Sequence, residues 1–277
     1  MTTIPEIQAM KRTGEKSVCF VAWDYHMAKI ADRVGADIVS VGDTVGANLW
    51  GQSNPLEVTF DEMLVAAKAV RRGVTNALVS CDFPYGPLQA GNALPAAIRL
   101  VKEAGVDLVK LDGAADFPEE VERLTRAGIP VFAQFGITPQ TSLKYGIDYS
   151  AAHTMQVPDE MTDDLVAEAK RLESAGAVLL NFTNSGSVVG PAVVDAVSIP
   201  VLGGFGGGPW LDGRIRMITA AIGYSSRWVD DEPDTYANVA RIMHDALAVC
   251  AEDIRAGRQV RGGIPVPSGP ERGVCNA

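Results

Sequence analysis

Short apolar segments alternate with longer amphipathic segments along most of the chain. Each apolar segment is nearly continuous in hydrophobic residues and ends in a turn that contains Gly, Asp or Asn. Continuous apolar runs are typical of parallel strands that are covered on both faces. The predicted strands are Ser17–Trp23, Asp37–Val41, Ala77–Cys81, Asp107–Leu111, Val131–Phe135, Val178–Leu180 and Pro200–Leu202, and the candidate for an eighth strand is Ile222–Val229.

The segments between these strands have the hydrophobic spacing of helices that bury one face. Several of them end in a Gly-containing pair just before the next strand, as at Gly105, Gly128 and Gly176. Glycine fits there because the residue after a helix often adopts a left-handed conformation. The predicted helices include Phe60–Arg72, Leu94–Ala104, Phe117–Arg126, Thr162–Ala175 and Thr235–Ala256.

This βα repeat determines the predicted fold class. Seven or eight βα units in a chain of 277 residues favour a single closed (β/α)8 TIM barrel of the α/β class. A doubly wound open sheet is the structural alternative. We predict a catalytic barrel domain over residues 1–256, followed by a Gly/Pro-rich C-terminal tail over residues 257–277.

Composition excludes several classes of partner. The formal net charge is −10, whereas a nucleic-acid-binding protein is expected to present a basic face. No run approaches the roughly 20 apolar residues of a membrane span, and residues 1–16 lack the apolar core of a signal peptide. The four cysteines form no C-x-x-C pair, which argues against a zinc or redox motif. We therefore predict a cytoplasmic enzyme with a small-molecule substrate.

Aspartates follow four consecutive predicted strands. In a barrel, functional residues collect at the C-terminal ends of the strands. A single Asp in that position usually caps the next helix or forms an Asx turn. Several carboxylates at one mouth would repel each other unless a cation lies between them, and Mg²⁺ prefers such oxygen ligands. The pattern predicts a divalent-metal site built from some of Asp24, Asp43, Asp82 and Asp112.

Lys110 and the run Gly203–Gly208 are the other candidate functional features. Lys110 lies within an apolar strand, and lysines are rarely fully buried without a partner. It either pairs structurally with Asp112, lies at a wet edge, or meets the negative charge of a substrate, and we favour the last interpretation. The glycine run would bring backbone N–H groups close to an anion or form a flexible loop.

Several phrases in the chain carry a family resemblance through their order and spacing. They include Ala22-Trp23-Asp24-Tyr25, Val41-Gly42-Asp43-Thr44-Val45-Gly46, Cys81-Asp82-Phe83-Pro84-Tyr85-Gly86, Val109-Lys110-Leu111-Asp112-Gly113 and Phe135-Gly136-Ile137-Thr138-Pro139-Gln140. With these phrases the chain resembles the ketopantoate (3-methyl-2-oxobutanoate) hydroxymethyltransferase family, which belongs to the phosphoenolpyruvate mutase/isocitrate lyase superfamily. The resemblance extends from Ile7 to Gly223.

The resemblance implies a role for each matching residue. Asp43 and Asp82 would hold Mg²⁺ and, through it, the 2-oxo acid. Thr44 stands in place of the family's Ser and would bind the substrate carboxylate, while Lys110 would support the negative charge. Asp112 stands in place of a Glu and would lie in the second shell of the metal.

The implied reaction is hydroxymethyl transfer to 3-methyl-2-oxobutanoate through a metal-bound enolate. The implied co-substrate is methylenetetrahydrofolate, and the resemblance also implies a homo-oligomer. More generally, we predict a Mg²⁺-dependent enzyme that makes or cleaves a carbon–carbon bond of a small 2-oxo acid.

Two departures from the family leave alternatives open. The family's general base is a Glu at the end of the sixth strand, where this chain has Thr183. Its His after the fifth strand is Gln134, a predicted substrate-binding residue. Thr183 and Asn181 join Lys110 as candidate catalytic residues, although neither Thr nor Asn is a base at neutral pH. The alternatives are a superfamily lyase or hydrolase, or a non-catalytic 2-oxo-acid-binding homologue.

Overall fold

A computed structural model describes residues 1–148, 151 and 154–264 of the chain. Most of the predicted C-terminal tail, residues 265–277, lies outside the described part, and so does Cys275. The tail therefore stays a prediction beyond residue 264.

Eight parallel strands form a closed barrel in which each strand pairs with its neighbour in sequence and β8 pairs with β1. The predicted (β/α)8 TIM barrel is confirmed. All seven strands predicted from continuous apolar runs are present, with small shifts at their ends. The strands are β1 Ser17–Val21, β2 Ile38–Val41, β3 Leu78–Asp82, β4 Leu108–Leu111, β5 Val131–Gly136, β6 Leu179–Thr183, β7 Val201–Gly203 and β8 Gly213–Met217.

The local sequence sets the start of the helix Phe60–Gly73, α3. This helix starts after Thr59, whose hydroxyl accepts from the backbone N–H of Glu62 while the Glu62 carboxylate accepts from the backbone N–H of Thr59. This reciprocal capping box satisfies two helix donors. The α-helices are α1 Ile4–Thr13, α2 Tyr25–Arg33, α3 Phe60–Gly73, α4 Ala93–Arg99, α5 Pro118–Arg126, α6 Thr162–Ser174, α7 Val189–Ala196, α8 Ile218–Ala221 and α9 Val239–Arg255, and α4 continues as a π-helical segment over Leu100–Ala104.

The prediction of the eighth strand was wrong. Ile222–Val229 contains turns and a short 3₁₀ helix, Ser226–Val229, whereas β8 is Gly213–Met217. Arg214 and Arg216 alternate with apolar residues and are exposed, so β8 has no continuous apolar run. A search for continuous apolar runs misses a strand in which two exposed arginines alternate with apolar residues.

Strand register identifies the residues that face the barrel interior. Ser40 lies opposite both Val21 and Ser80 in the register, and the two serine hydroxyls are 2.8 Å apart in a buried position. Side chains alternate between the two faces of a strand, so Asp82 faces the same side as Ser80. Asp82 lies opposite Lys110. The interior therefore becomes polar toward the C-terminal ends of the strands.

The chain divides into two compact units, of which the first is Met1–Ile218 and the second begins at Thr219. The first unit contains all eight strands, and the second contains α9. The prediction of one catalytic domain over residues 1–256 stays a prediction. No helix among the described residues is long and apolar enough to cross a membrane.

Candidate active site

A cavity of about 250 Å³ opens at the C-terminal ends of the strands. Seven of the eight residues predicted to form the site line this cavity, and Asp112 lies buried beside it. Parallel strands place residues from different parts of the chain at one mouth, which is why they converge. The lining includes Asp43, Thr44, Asp82, Lys110, Gln134, Pro139, Asn181, Thr183, Gly204, Phe205, Gly206, Arg214 and Arg216.

Asp82 and Lys110 form a buried ion pair at the centre of the site. Lys110 Nζ lies 2.9 Å from Asp82 Oδ1, and both side chains are less than one-tenth exposed. The partner of Lys110 is therefore Asp82 on the neighbouring strand and not Asp112. Burial opposes the charge of Lys110, but the Asp82 carboxylate raises the pKa of Lys110 above its ordinary value. The lysine stays an ammonium that faces the cavity.

Asp43 follows β2 and is held beside Asp82 by a backbone hydrogen bond. The backbone N–H of Asp43 donates to Asp82 Oδ2 at 3.4 Å, which places the two residues side by side. Gln140 Nε2 donates to Asp43 Oδ2 at 2.7 Å and to the backbone carbonyl of Phe83 at 2.9 Å. The sequence had indicated Gln140 only as part of the family phrase, and its role in orienting Asp43 comes from the structure.

Asp112 anchors a row of polar side chains across three neighbouring strands. Its Oδ2 accepts from Gln134 Nε2 at 3.2 Å and from the backbone N–H of Gln140 at 3.4 Å. Gln134 Oε1 in turn accepts from Asn181 Nδ2 at 2.9 Å. Burial raises the pKa of Asp112 to about 7, against hydrogen bonding from Thr138 and the charge of Lys110.

The charges of this site fit a bound divalent cation. Asp43, Asp82 and Asp112 are three buried carboxyl groups that share one buried ammonium, Lys110. Burial, followed by the charges of Asp82 and Asp112, raises the pKa of Asp43 well above its ordinary value. Asp112 Oδ1 is buried without a hydrogen-bond partner. A cation beside these groups would relieve the repulsion among the carboxylates.

Two carboxylates are the number that Mg²⁺ commonly takes from a protein, with water and substrate completing its shell. Among the residues that the structure describes, no three Asp, Glu, His or Cys side chains are grouped to hold one ion. The arrangement therefore fits Asp43 and Asp82 as the direct ligands, with Asp112 outside the first shell. This assignment stays a prediction.

Asp24 and His26 do not belong to the cavity lining. The Asp24 carboxylate accepts from the backbone N–H of Met27 at 2.8 Å and caps α2. His26 is exposed and packs edge-on against Tyr25. Of the four aspartates that follow predicted strands, Asp24 therefore performs the ordinary capping function of its residue type.

The walls contributed by β8 and by the loop after β7 were missed or only partly predicted. Arg214 and Arg216 line the cavity, and Arg214 Nη2 donates to the carbonyl of Gly204 at 3.2 Å. The glycine run contributes Gly204 and Gly206 to the lining, as its position after a strand had indicated. The signal that could have found the arginines is the alternation of charged and apolar residues between Gly213 and Met217.

We expect the variant Gln140→Leu to bind Mg²⁺ about tenfold more weakly than the natural protein, because residues that orient a metal ligand typically contribute 10- to 100-fold in affinity. Leucine keeps the volume but removes the donor to Asp43. Isothermal titration with Mg²⁺ measures the effect. The matched control is Gln89→Leu, which removes an exposed glutamine whose side-chain oxygen accepts from the backbone N–H of Gly86 at a turn. Equal Mg²⁺ affinities for the two variants would contradict the orienting role.

Comparison with known proteins agrees with this geometry. The family model described as ketopantoate hydroxymethyltransferase matches residues 1–259. This chain belongs to the ketopantoate hydroxymethyltransferase family. The assignment made from the sequence phrases is confirmed, and with it the prediction of a transferase of this family.

The curated relatives align with nearly the whole of this chain. The 3-methyl-2-oxobutanoate hydroxymethyltransferase of Salinibacter ruber is 36% identical over 255 residues, which are 91% of this chain and 94% of that one. The protein of the same name from Cyanothece sp. (strain PCC 7425) is 36% identical over 263 residues, with 92% and 97% covered.

Solved structures share the fold of this family member at low identity. A phosphonopyruvate hydrolase has a TM-score of 0.60 at 15% identity, with 96% of this chain and 92% of that chain covered. A 2,3-dimethylmalate lyase, described as a PEP mutase/isocitrate lyase superfamily member, has a TM-score of 0.58 at 13% identity, with 98% and 92% covered. These similarities support the fold.

Proposed function

We propose that this chain is a Mg²⁺-dependent enzyme that transfers a hydroxymethyl group to 3-methyl-2-oxobutanoate. The observation that carries the proposal is the buried group of Asp43, Asp82 and Lys110 at the barrel mouth, in a chain of this family. Supporting it, a phosphonopyruvate hydrolase of the same fold was solved as a complex with oxalate and Mg²⁺. We further propose methylenetetrahydrofolate as the one-carbon donor and a homo-oligomer as the assembly.

The carboxylates of Asp43 and Asp82 would hold the metal. When bound, Mg²⁺ supplies a Lewis acid for the ketone oxygen of the 2-oxo acid, which lowers the free energy of the enolate. Lys110, which stays an ammonium through its contact with Asp82, stabilises negative charge that develops on the substrate. Thr44 lies half-buried in the lining directly after Asp43 and donates its hydroxyl to the substrate carboxylate.

The end of β6 is where this chain differs from the family's reaction scheme. Thr183 and Asn181 line the cavity and are buried, but neither side chain takes a proton at neutral pH. This observation favours a second candidate function, in which the site binds a 2-oxo acid without removing its α-proton, as a superfamily lyase with another substrate or a binding protein would.

Hydrogen–deuterium exchange separates these functions. We expect the protein with Mg²⁺ in deuterated water to exchange the proton at C3 of 3-methyl-2-oxobutanoate faster than Mg²⁺ alone, because the metal site stabilises the enolate. Proton NMR follows the loss of the C3 signal. The controls are the protein with excess chelator and the buffer with Mg²⁺ but no protein. Metal-dependent binding of the acid without exchange would support the second candidate and contradict the transferase proposal.

A further inference from the structure

The side chains of Asp112, Gln134 and Asn181 form a hydrogen-bonded row whose direction follows from its anchor. Asp112 Oδ2 accepts from the backbone N–H of Gln140, so the oxygen that faces Gln134 is an acceptor. The Gln134 amide must therefore turn its NH₂ toward Asp112 and its oxygen toward Asn181. That oxygen in turn accepts from Asn181 Nδ2, which leaves Asn181 Oδ1 at the end of the row.

Asn181 Oδ1 has no partner in the described structure. The atom is buried, the side chain is 5% exposed, and the residue lines the cavity. A buried acceptor without a donor costs free energy, because it has lost its hydrogen bonds to water. Asn181, a residue of the cavity lining at β6, therefore carries an unsatisfied hydrogen-bond acceptor, which an O–H or N–H group of a ligand would satisfy.

We infer that Asn181 binds the hydroxyl group that the transfer adds to the 2-oxo acid, and that Gln134 and Asp112 are positioning residues that hold its carbonyl oxygen toward the ligand. The inference rests on the proposed function, which brings the 2-oxo acid into this cavity. Gln134 donates one amide N–H to Asp112 and accepts from Asn181 through its amide oxygen, which fixes the orientation of the amide. An acid without a donor leaves Asn181 Oδ1 unsatisfied.

A matched pair of ligands tests this contact without turnover. The probes are 4-hydroxy-3,3-dimethyl-2-oxobutanoate and 3,3-dimethyl-2-oxopentanoate, which differ by a hydroxyl in place of a methyl group. Neither has a proton at C3, so neither can enolise there. In isothermal titrations with Mg²⁺, we expect the natural protein to bind the hydroxy acid about tenfold more tightly, the usual effect of one neutral hydrogen bond.

The variants identify the residues responsible for the selection. Asn181→Leu should bind both acids equally while it keeps its Mg²⁺ affinity, and Asn181→Ala tests the same point should the leucine variant not fold. Gln134→Met keeps Asn181 but removes its orienting partner. The ratio of the affinities for the hydroxy acid and its methyl analogue should therefore fall, while the affinity for Mg²⁺ should stay unchanged. If Gln134 had a purely structural role, Gln134→Met would weaken the binding of both acids equally and leave the ratio of their affinities unchanged.

The possible failures are distinguishable. Equal, metal-dependent affinities of the natural protein for the two acids would overturn the inference and leave the proposed function standing. A preference that survives Asn181→Leu would also overturn it. If neither acid binds in a metal-dependent way, the proposed function fails, and the inference fails with it.

Discussion

Replacing Asp82 by Asn is expected to abolish Mg²⁺ binding and with it the metal-dependent proton exchange. Asn keeps the shape of the side chain but removes one of the two carboxylates that fit the cation. The change also leaves the Lys110 ammonium, 2.9 Å from Asp82 in the natural protein, without its buried partner. Breaking a buried ion pair in this way typically costs about 3 kcal/mol, so the free energy of unfolding should fall as well. Isothermal titration and denaturant unfolding measure the two effects.

A double variant separates metal binding from stability. Asp82→Asn combined with Lys110→Met removes both charges, so the free energy of unfolding should recover most of the loss, whereas Mg²⁺ binding should not return. Asp116→Asn is the control for loss of a carboxylate, since Asp116 forms an ion pair with Lys144 in which both side chains are about half exposed. Mg²⁺ binding that survives Asp82→Asn would show that the metal model is wrong.

Replacing Thr183 by Glu is expected to raise the rate of C3 proton exchange about 100-fold. A positioned general base typically contributes 10²- to 10⁴-fold, and the family has a Glu where this chain has Thr183. Thr183 is 3% exposed and lines the cavity, so a longer side chain reaches into the space for substrate. The base acts as a carboxylate, and the rate should therefore rise with pH up to the pKa of the new Glu.

The matched control for this variant is Thr183→Gln, which has the same size but takes no proton. Both variants are measured at saturating Mg²⁺, because the new carboxylate would otherwise add to the repulsion among Asp43, Asp82 and Asp112. Equal exchange rates for Thr183→Glu and Thr183→Gln would indicate that the substrate pocket itself differs from that of the family. The absence of the Glu at position 183 would then not explain a low rate of C3 proton exchange.

The local pattern of hydrophobic residues was sufficient to predict most of the strands and helices of the barrel. The runs Ala77–Cys81 and Val131–Phe135 were predictable because each is nearly continuous in apolar residues, as is typical of a strand covered on both faces. Helix α3 was predictable because Met63, Leu64, Ala67 and Val70 recur at helical spacing, and all of these are buried. Strand β8 was not predictable in that way, since its exposed arginines break the apolar run. Its identity depends on the barrel closing between β7 and β1.

The sequence by itself determined the class of fold, the family, and the aspartates and lysine that lie in the strands or just after them. These follow from local periodicity and from residues close together in the chain. Only the tertiary structure decided which charges meet: Lys110 pairs with Asp82 because the register of β3 and β4 places them opposite each other. It also decided that Gln140 orients Asp43 and that Asn181 ends a polar row. Such contacts join residues far apart in sequence, and strand register and loop path, which no local pattern specifies, bring them together.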